Sequence, residues 1–438
     1  MTWKKRTHEI RDPIHNFIKF DNREKELIDS KPFQRLRNIH QLALTSLLYP
    51  GATHRRFEHS LGVMELAGRV FDVVTNSENV RFPSVEAILP DPGELPYWKR
   101  VLRAAALCHD IGHLPFSHAA EKELLPQNMT HETLTTLLID SEFLEPIWRS
   151  GTPINPEHVK KISVGNEKLP DLDFSEWEAI LSEIIIGDAL GVDRIDYLLR
   201  DSHHLGVAYG RFDHYRLVDS IRILPRSTEE GGSREPTLGV EIGGLHSAEA
   251  LLLARYFMYE QVYFHHIRRI YDIHLKEFML EYFGESKYPT ELRTHLNVTD
   301  NEITAALGTA CADPGARGHK AAKSIVERRH FKKVYQRLEE DISIDIDAPD
   351  RIFERVSKEF GPENMRFDSY RQRSDPSEFP VLLDDGKVGS SMSLSDVIVN
   401  LPLTAIDFIF CVPEISDEAG RWIDANRTSI LKGERGSP

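Results

Sequence analysis

Cysteine is scarce. Three cysteines in 438 residues, Cys108, Cys311 and Cys411, lie far apart with no paired spacing, which excludes a disulfide framework and a zinc-thiolate site as the basis of the fold. Long apolar runs are missing too. No stretch of about 18 uncharged hydrophobic residues occurs, so a membrane-spanning helix is not expected. The opening Met1-Thr2-Trp3-Lys4-Lys5-Arg6 lacks the apolar core of a signal peptide, and the reading is a cytoplasmic protein. Cations are in deficit: 54 Lys and Arg stand against 69 Asp and Glu, a net charge of -15. The surface as a whole therefore does not attract nucleic acid, and a polyanionic ligand must meet a local basic patch. Arg35, Arg37, Arg55 and Arg56 form one such patch, His265 to Arg269 a second, and Lys320 to Lys333 a third. Each also reads as a solvated charged face, with room for weak binding of single-stranded nucleic acid.

What is present is enough for a large core, since 40% of the residues are hydrophobic. Glu9 to Phe20 reads as a short hairpin around a proline turn. A helix starts at Ser30 with Pro32 in its first turn, and a long one follows from Phe57 with Leu61, Val63, Leu66, Ala67, Val70 and Val74 on its apolar side. Ser77 to Pro96 is a polar loop. Thr130 caps a helix, and Ser175 with Glu178 forms a capping box for the next. Thr237 to Ile242 is strand-like, and Ser247 to Phe283 reads as one very long helical stretch. From about Asp341 the texture changes: Ile342, Ile344 and Ile346 alternate as in a strand, Ile352 to Phe360 is helical, and Ala405 to Val412 is an apolar strand. The fold class is mainly α, a helical bundle with a few short strands and a small α+β C-terminal domain. The division runs 1–50 for the hairpin and first helix, 51–285 for the helical domain, 286–340 for a helical extension and 341–438 for the α+β part.

The chemistry concentrates in Ala104 to His118, where an apolar helix runs out at Gly112 and Pro115 while presenting His109, Asp110, His113 and His118. Imidazole nitrogen and carboxylate oxygen from an adjacent His-Asp pair suit a divalent cation. His59, His109, Asp110 and Asp193 form the main constellation. Their separations are too long for a local metal loop, so the ligands must come from different helices of a bundle. Taken alone, His59 or Asp193 reads as a hydrogen-bonded polar residue. Beside an adjacent His-Asp pair in an apolar helix, they read as ligands.

Three segments resemble the HD-domain metal-dependent phosphohydrolases, and within them the deoxynucleoside triphosphate triphosphohydrolase branch. They are Arg56-Phe57-Glu58-His59-Ser60-Leu61-Gly62-Val63, then Leu107 to His118, then Val192-Asp193-Arg194-Ile195-Asp196-Tyr197 with Arg200 to Gly206. The resemblance runs from about residue 9 to 283. It implies a divalent metal (Mn, Mg, Fe or Zn) on His59, His109, Asp110 and Asp193. It also implies a general acid at His118 oriented by Glu121, where Glu replaces Asp, and α-phosphate contacts at His113 and His131. Substrate contacts fall at Gln41 and Leu42 on the deoxyribose edge, at Arg56 near the phosphates, and at Tyr197, Asp201, Arg255 and Tyr263. Asp29, Gln34 and Arg37 match a guanine-reading activator site, which implies a GTP or dGTP activator and a homo-oligomer, dimer or tetramer.

Three functions follow as expectations. The first is hydrolysis of a dNTP to deoxynucleoside and inorganic triphosphate. The second keeps the metal site but acts on another nucleotide or on single-stranded nucleic-acid ends. The third is a nucleotide sensor without turnover, against which a histidine-carboxylate acid pair speaks, because a pure binder needs no proton donor.

Overall fold

The computed structural model describes residues 7–117, 121–151, 153–225, 236–284, 287–371 and 378–432. It is mainly helical, with short strands in three small sheets. Two units make it up: Met1–Met258 with Ser286–Ile303 and Pro376–Leu401, and Tyr259–Glu285 with Thr304–Asp375 and Pro402–Pro438.

The first unit is built on the helix Leu95–Cys108, whose Pro96 sits in the first turn where a missing N–H costs nothing. Val101, Leu102, Ala104, Ala105, Ala106, Leu107 and Cys108 are all buried, and the three alanines let a neighbouring helix come close. That neighbour is Arg56–Val74, which buries Leu61, Val63, Met64, Leu66, Ala67 and Val70. A third helix, Val192–Leu205, lies on the other flank of Arg56–Val74. Gly62 makes that approach feasible: a Cβ there would stand 1.9 Å from Asp196 Oδ1 and 2.5 Å from Arg200 Nη2. The helices Pro156–Val164 and Glu176–Ile186 complete the packing, the latter opened by the expected box in which Ser175 N donates to Glu178 Oε2 at 2.9 Å and Glu178 N to Ser175 Oγ at 3.2 Å.

The N-terminal hairpin is present, Thr7–Asp12 pairing antiparallel with Asn16–Asp21. A second sheet orders the strands Ile221–Pro225, Pro236–Glu241, Pro380–Leu382 and Val388–Ser390. Its middle pair is parallel, Val240 opposite Val381. This pairing draws 376–401 into the first unit, which a division of the chain into consecutive segments at 341 does not anticipate.

In the second unit Ala405–Cys411 is the central strand, between Lys332–Gln336 and Met365–Arg371, both antiparallel. The helices Ala348–Phe360 and Ser416–Leu431 bury Ile352, Val356 and Ile423 with Met365 and Ile409. Two local expectations are corrected here. The Ile342-Ile344-Ile346 alternation is not a strand: Glu339–Ile344 is a helix with an acidic first turn, in which buried Asp341 accepts the Tyr335 hydroxyl at 2.9 Å. The stretch Ser247 to Phe283 is not one helix. Leu245–Met258 gives way to a π-helical turn, Tyr259–Tyr263, where Tyr259 packs edge-on to Tyr263, and a new helix His266–Phe283 starts from extended His265, whose Nδ1 accepts Ile267 N–H. Among the described residues no helix is long and apolar enough to cross a membrane.

Candidate metal centre

His59 projects from the second turn of Arg56–Val74, His109 caps the C-terminus of Leu95–Cys108 with Asp110 next to it, and Asp193 sits in the first turn of Val192–Leu205. Three helices thus deliver the four residues to one point. His59 Nε2 is 2.9 Å from Asp193 Oδ1 and 3.7 Å from Asp110 Oδ2. His109 Nε2 is 3.5 Å from Asp110 Oδ1 and 3.7 Å from Asp193 Oδ1.

The tautomers of both rings are set by their other nitrogens. His59 Nδ1–H donates to Asp196 Oδ2 at 2.8 Å, and His109 Nδ1–H to the Ala106 carbonyl at 2.7 Å. Both Nε2 atoms are buried and face the carboxylates of Asp110 and Asp193. Two imidazole nitrogens, oriented from behind and facing two carboxylates, form a donor set that could hold a divalent metal. The residues fit such an ion. His59, His109 and Asp193 place their ligand atoms within 4.8 Å of one another, as do His113, Glu121 and His131 nearby.

The electrostatics agree. Burial pushes the His59 imidazole down, but Asp193 and Asp196 outweigh it and raise it to about 10. Burial opposes ionisation of Asp193 as well, yet His109 and His59 hold it below the usual carboxylate range. For Asp110, burial is overcome by Arg56, His109 and His113, and its carboxyl is held well below its ordinary value. The carboxylates here stay ionised and draw in positive charge.

Behind His59 lies a network that single-residue reading of the sequence does not find. Asp196, fully buried, accepts His15 Nε2–H at 2.7 Å on Oδ1, and Arg200 donates to both of its oxygens at 2.8 and 2.9 Å. Arg200 Nη1 also reaches Asp12 Oδ2 at 2.8 Å. Asp196 is three positions from Asp193 on the same helix, and that spacing is the signal that points to it.

On the open side of Asp110, Arg56 Nη1 donates to its Oδ2 at 2.5 Å while Arg56 Nε reaches Ser117 Oγ at 2.9 Å. His113 Nε2 stands 3.1 Å from Asp110 Oδ1, and its ring stacks on His131 with centroids 4.0 Å apart. Burial first, then Arg56 and His131, push His113 well below its ordinary pKa, so it is neutral. Glu121 Oε1 accepts both the backbone N–H and Nδ1–H of His131, each at 2.8 Å. His118 lies outside the described residues.

Other expected contacts vary in setting. Gln41 Oε1 is buried without a partner, and Leu42 is buried beside it. Tyr197 is half-buried, whereas Asp201 is buried and accepts His54 Nε2–H at 2.7 Å. Arg255 Nη1 donates to the Asp188 carbonyl at 3.5 Å. Tyr263 belongs to the second unit. Of the activator residues, Gln34 accepts from Arg37 Nε at 2.9 Å, Arg37 stacks 3.5 Å over the Phe57 ring, and Asp29 pairs with Lys25.

Comparison with known proteins matches the pattern of the HD domain to residues 56–199 and that of the HD-associated region to residues 212–361. An uncharacterised protein of Methanocaldococcus jannaschii is 36% identical over 298 residues, which are 68% of this chain and 54% of that one. The deoxynucleoside triphosphate triphosphohydrolase SAMHD1 of Bos taurus is 31% identical over 294 residues, 62% of this chain and 47% of that one. The chain thus spans about half the length of the curated relatives it matches. The crystal structure of a hypothetical protein from Aquifex aeolicus is 30% identical, with a TM-score of 0.76, and covers 95% of this chain and 99% of its own. Helical fold, ligand set and sequence agree, and the chain belongs to the HD-domain family, its HD domain followed by an HD-associated region.

Proposed function

We propose that the protein is a metal-dependent hydrolase that cleaves deoxynucleoside triphosphates to deoxynucleoside and inorganic triphosphate. The observation that carries this reading is the pair of buried Nε2 atoms of His59 and His109, aimed with Asp110 and Asp193 at one point beside the stacked His113 and His131. A metal centre next to a patch of imidazole and guanidinium groups suits a polyphosphate. The similarity to a relative named as a deoxynucleoside triphosphate triphosphohydrolase supports the substrate class.

A divalent ion held by His59, His109, Asp110 and Asp193 supplies the charge neutralisation and water activation that a phosphoester resisting attack requires. The chain's own residues do the rest. Arg56, fixed by Asp110 and Ser117, presents its positive charge to the phosphates. His113, neutral and stacked on His131, contacts the α-phosphate with it. Glu121 holds His131 through Nδ1 and so fixes its ring beside His113. The proton for the departing 5'-oxygen comes from His118, a histidine titrating near neutral pH being suited to donate it. The partnerless Gln41 Oε1 and the adjacent Leu42 read the sugar edge, favouring a deoxyribose. Asp201, Tyr197 and Arg255 complete the substrate contacts. A guanine nucleotide at Asp29, Gln34 and Arg37 activates the enzyme by joining subunits of a homo-oligomer, which requires Arg37 to leave Gln34 and Phe57.

The test is to incubate the purified protein and Mn²⁺ with each dNTP and NTP, with and without GTP, and to resolve the products. Inorganic triphosphate and deoxynucleoside are expected. Pyrophosphate or monophosphate moves the reading to another phosphoester, and no product under any condition overturns it.

A further inference from the structure

The turn after the metal-bearing helix carries His113, Phe116 and Ser117. Phe116 has φ 55° and Ser117 φ 59°, two consecutive residues in the left-handed region that side chains bearing a Cβ adopt only where the surroundings hold them. What holds them comes from far along the chain. Asp300, wholly buried, accepts the Phe116 N–H on Oδ1 at 2.7 Å, and on Oδ2 it accepts both the backbone N–H of His40 at 2.7 Å and His40 Nδ1–H at 2.6 Å. Arg35, 4% exposed, donates through Nη1 to the His113 carbonyl at 2.7 Å and through Nε and Nη2 to the Val298 carbonyl at 3.2 and 2.8 Å. Arg35 in turn meets the Tyr288 hydroxyl, whose proton goes to His295 Nδ1 at 2.9 Å.

Asp300 opens the helix Asp300–Ala312, and a capping role is the plain explanation of an aspartate there. The cap is already made by its neighbours: Thr299 Oγ1 accepts the Asn301 N–H at 3.3 Å, and Glu302 Oε2 accepts the Thr299 N–H at 2.8 Å. The Asp300 carboxylate reaches back instead to residues 40 and 116.

We infer that Asp300, with Arg35 beside it, is a positioning residue of the reacting site: it fixes the 113–117 turn, and through Ser117 and the His113 carbonyl it sets where Arg56 and the His113 ring stand relative to the metal ligands. The link from turn to site is short, since Ser117 Oγ accepts Arg56 Nε–H at 2.9 Å and His113 Nε2 lies 3.1 Å from Asp110. Asp300 lies outside the HD domain proper, within the HD-associated region. A reason for the two regions to occur in one chain follows: the second supplies the brace for the first. This inference rests on the proposed hydrolase reading only for its kinetic arm.

The experiment compares Asp300→Ala, Asp300→Asn and, as a control that removes a helix cap but spares the brace, Thr299→Ala. Amide hydrogen exchange is followed in peptides covering 113–117 and the helix Arg56–Val74, Mn²⁺ binding is titrated, and turnover of the four dNTPs is measured. In Asp300→Ala, exchange at 113–117 is expected to rise while Arg56–Val74 and Mn²⁺ affinity stay as in the unaltered protein, and kcat is expected to fall about 10²-fold, the cost of a displacement of roughly 1 Å. Asp300→Asn, which keeps one oxygen for the Phe116 N–H, falls between. Thr299→Ala leaves 113–117 and kcat unchanged. Unchanged exchange at 113–117 in folded Asp300→Ala overturns the inference. So does faster exchange everywhere at once, which marks general destabilisation, or faster local exchange with full kcat. If the unaltered protein turns over no dNTP, the hydrolase reading fails while the exchange comparison still decides whether Asp300 braces the turn.

Discussion

Asp196 Oδ2 accepts the Nδ1 proton of His59 at 2.8 Å, and Arg200 grips both oxygens of the same carboxylate. A candidate metal ligand is therefore aimed by an aspartate that is itself aimed by an arginine, all of it buried. Partners of this kind typically affect metal affinity by about 10–100-fold. Asp196→Asn keeps the shape and loses the charge that favours a Nδ1–H tautomer. Mn²⁺ titration should show affinity reduced by about that factor, with far-UV circular dichroism unchanged.

Gly62 gives a prediction whose sign opposes helix propensity. Alanine at an exposed helix interior is worth about 1 kcal/mol over glycine, but a Cβ at 62 would meet Asp196 Oδ1 at 1.9 Å. Gly62→Ala is expected to lower both the midpoint of thermal unfolding and the affinity for Mn²⁺. A variant more stable than the unaltered protein with full metal affinity contradicts the packing described here.

Metal binding itself should register as stability, because an ion that binds only the folded chain adds about 2.7 kcal/mol at a hundredfold excess over its dissociation constant. Mn²⁺ is expected to raise the unfolding temperature of the unaltered protein, and a chelator to reverse it. In His109→Ala/Asp110→Ala the shift should vanish. That variant also strands buried Arg56 without its carboxylate, so its metal-free unfolding temperature should be lower as well.

Far from the centre, Lys161 Nζ lies 3.1 Å from Glu178 Oε1, both side chains buried. Burial pushes the Glu178 carboxyl up, but the Ser175 amide, Lys161 and the Ser175 hydroxyl together hold it below its ordinary value. A carboxyl with a depressed folded-state pKa stabilises above the unfolded value of ~4.3 and loses that stabilisation as pH falls through the folded one. Glu178→Gln removes one partner of a buried pair, which costs on the order of 3 kcal/mol at neutral pH. Urea unfolding from pH 7 to pH 3 should show the gap between the two proteins closing at the acid end.

How much of this was legible in the chain follows from the range of the interactions. Capping at Ser175 and the apolar stripe from Leu61 to Val74 are local, and the structure has them as read. The motif around His109 and Asp110 announced a metal because two unlike ligands adjoin in an apolar helix. His15 and Asp300 gave no such sign: each is a single polar residue whose partner is distant, 181 positions for His15 with Asp196 and 184 for Asp300 with Phe116. The break at Tyr259–Tyr263 escaped periodicity because a π-turn shifts the helix by one residue without a proline or glycine to mark it. Ile344 and Ile346 misled because their alternation faces solvent, each more than half exposed.

Glu121 offers the sharpest division between binding and chemistry. Its Oε1 takes two N–H groups of His131, backbone and ring, and His131 stacks on His113, which borders Asp110. A carboxylate so placed favours Nδ1–H and fixes the orientation of the ring. Glu121→Ala removes the acceptor of both N–H groups, so the ring loses its fixed orientation. Metal affinity should not change, because His59, His109, Asp110 and Asp193 are untouched. Turnover of a dNTP should fall by about 10²-fold, the cost of displacing a substrate-contacting group by roughly 1 Å. Glu121→Gln, whose carbonyl oxygen can still accept both N–H groups, should recover most of the rate. Full turnover in Glu121→Ala assigns Glu121 to packing alone.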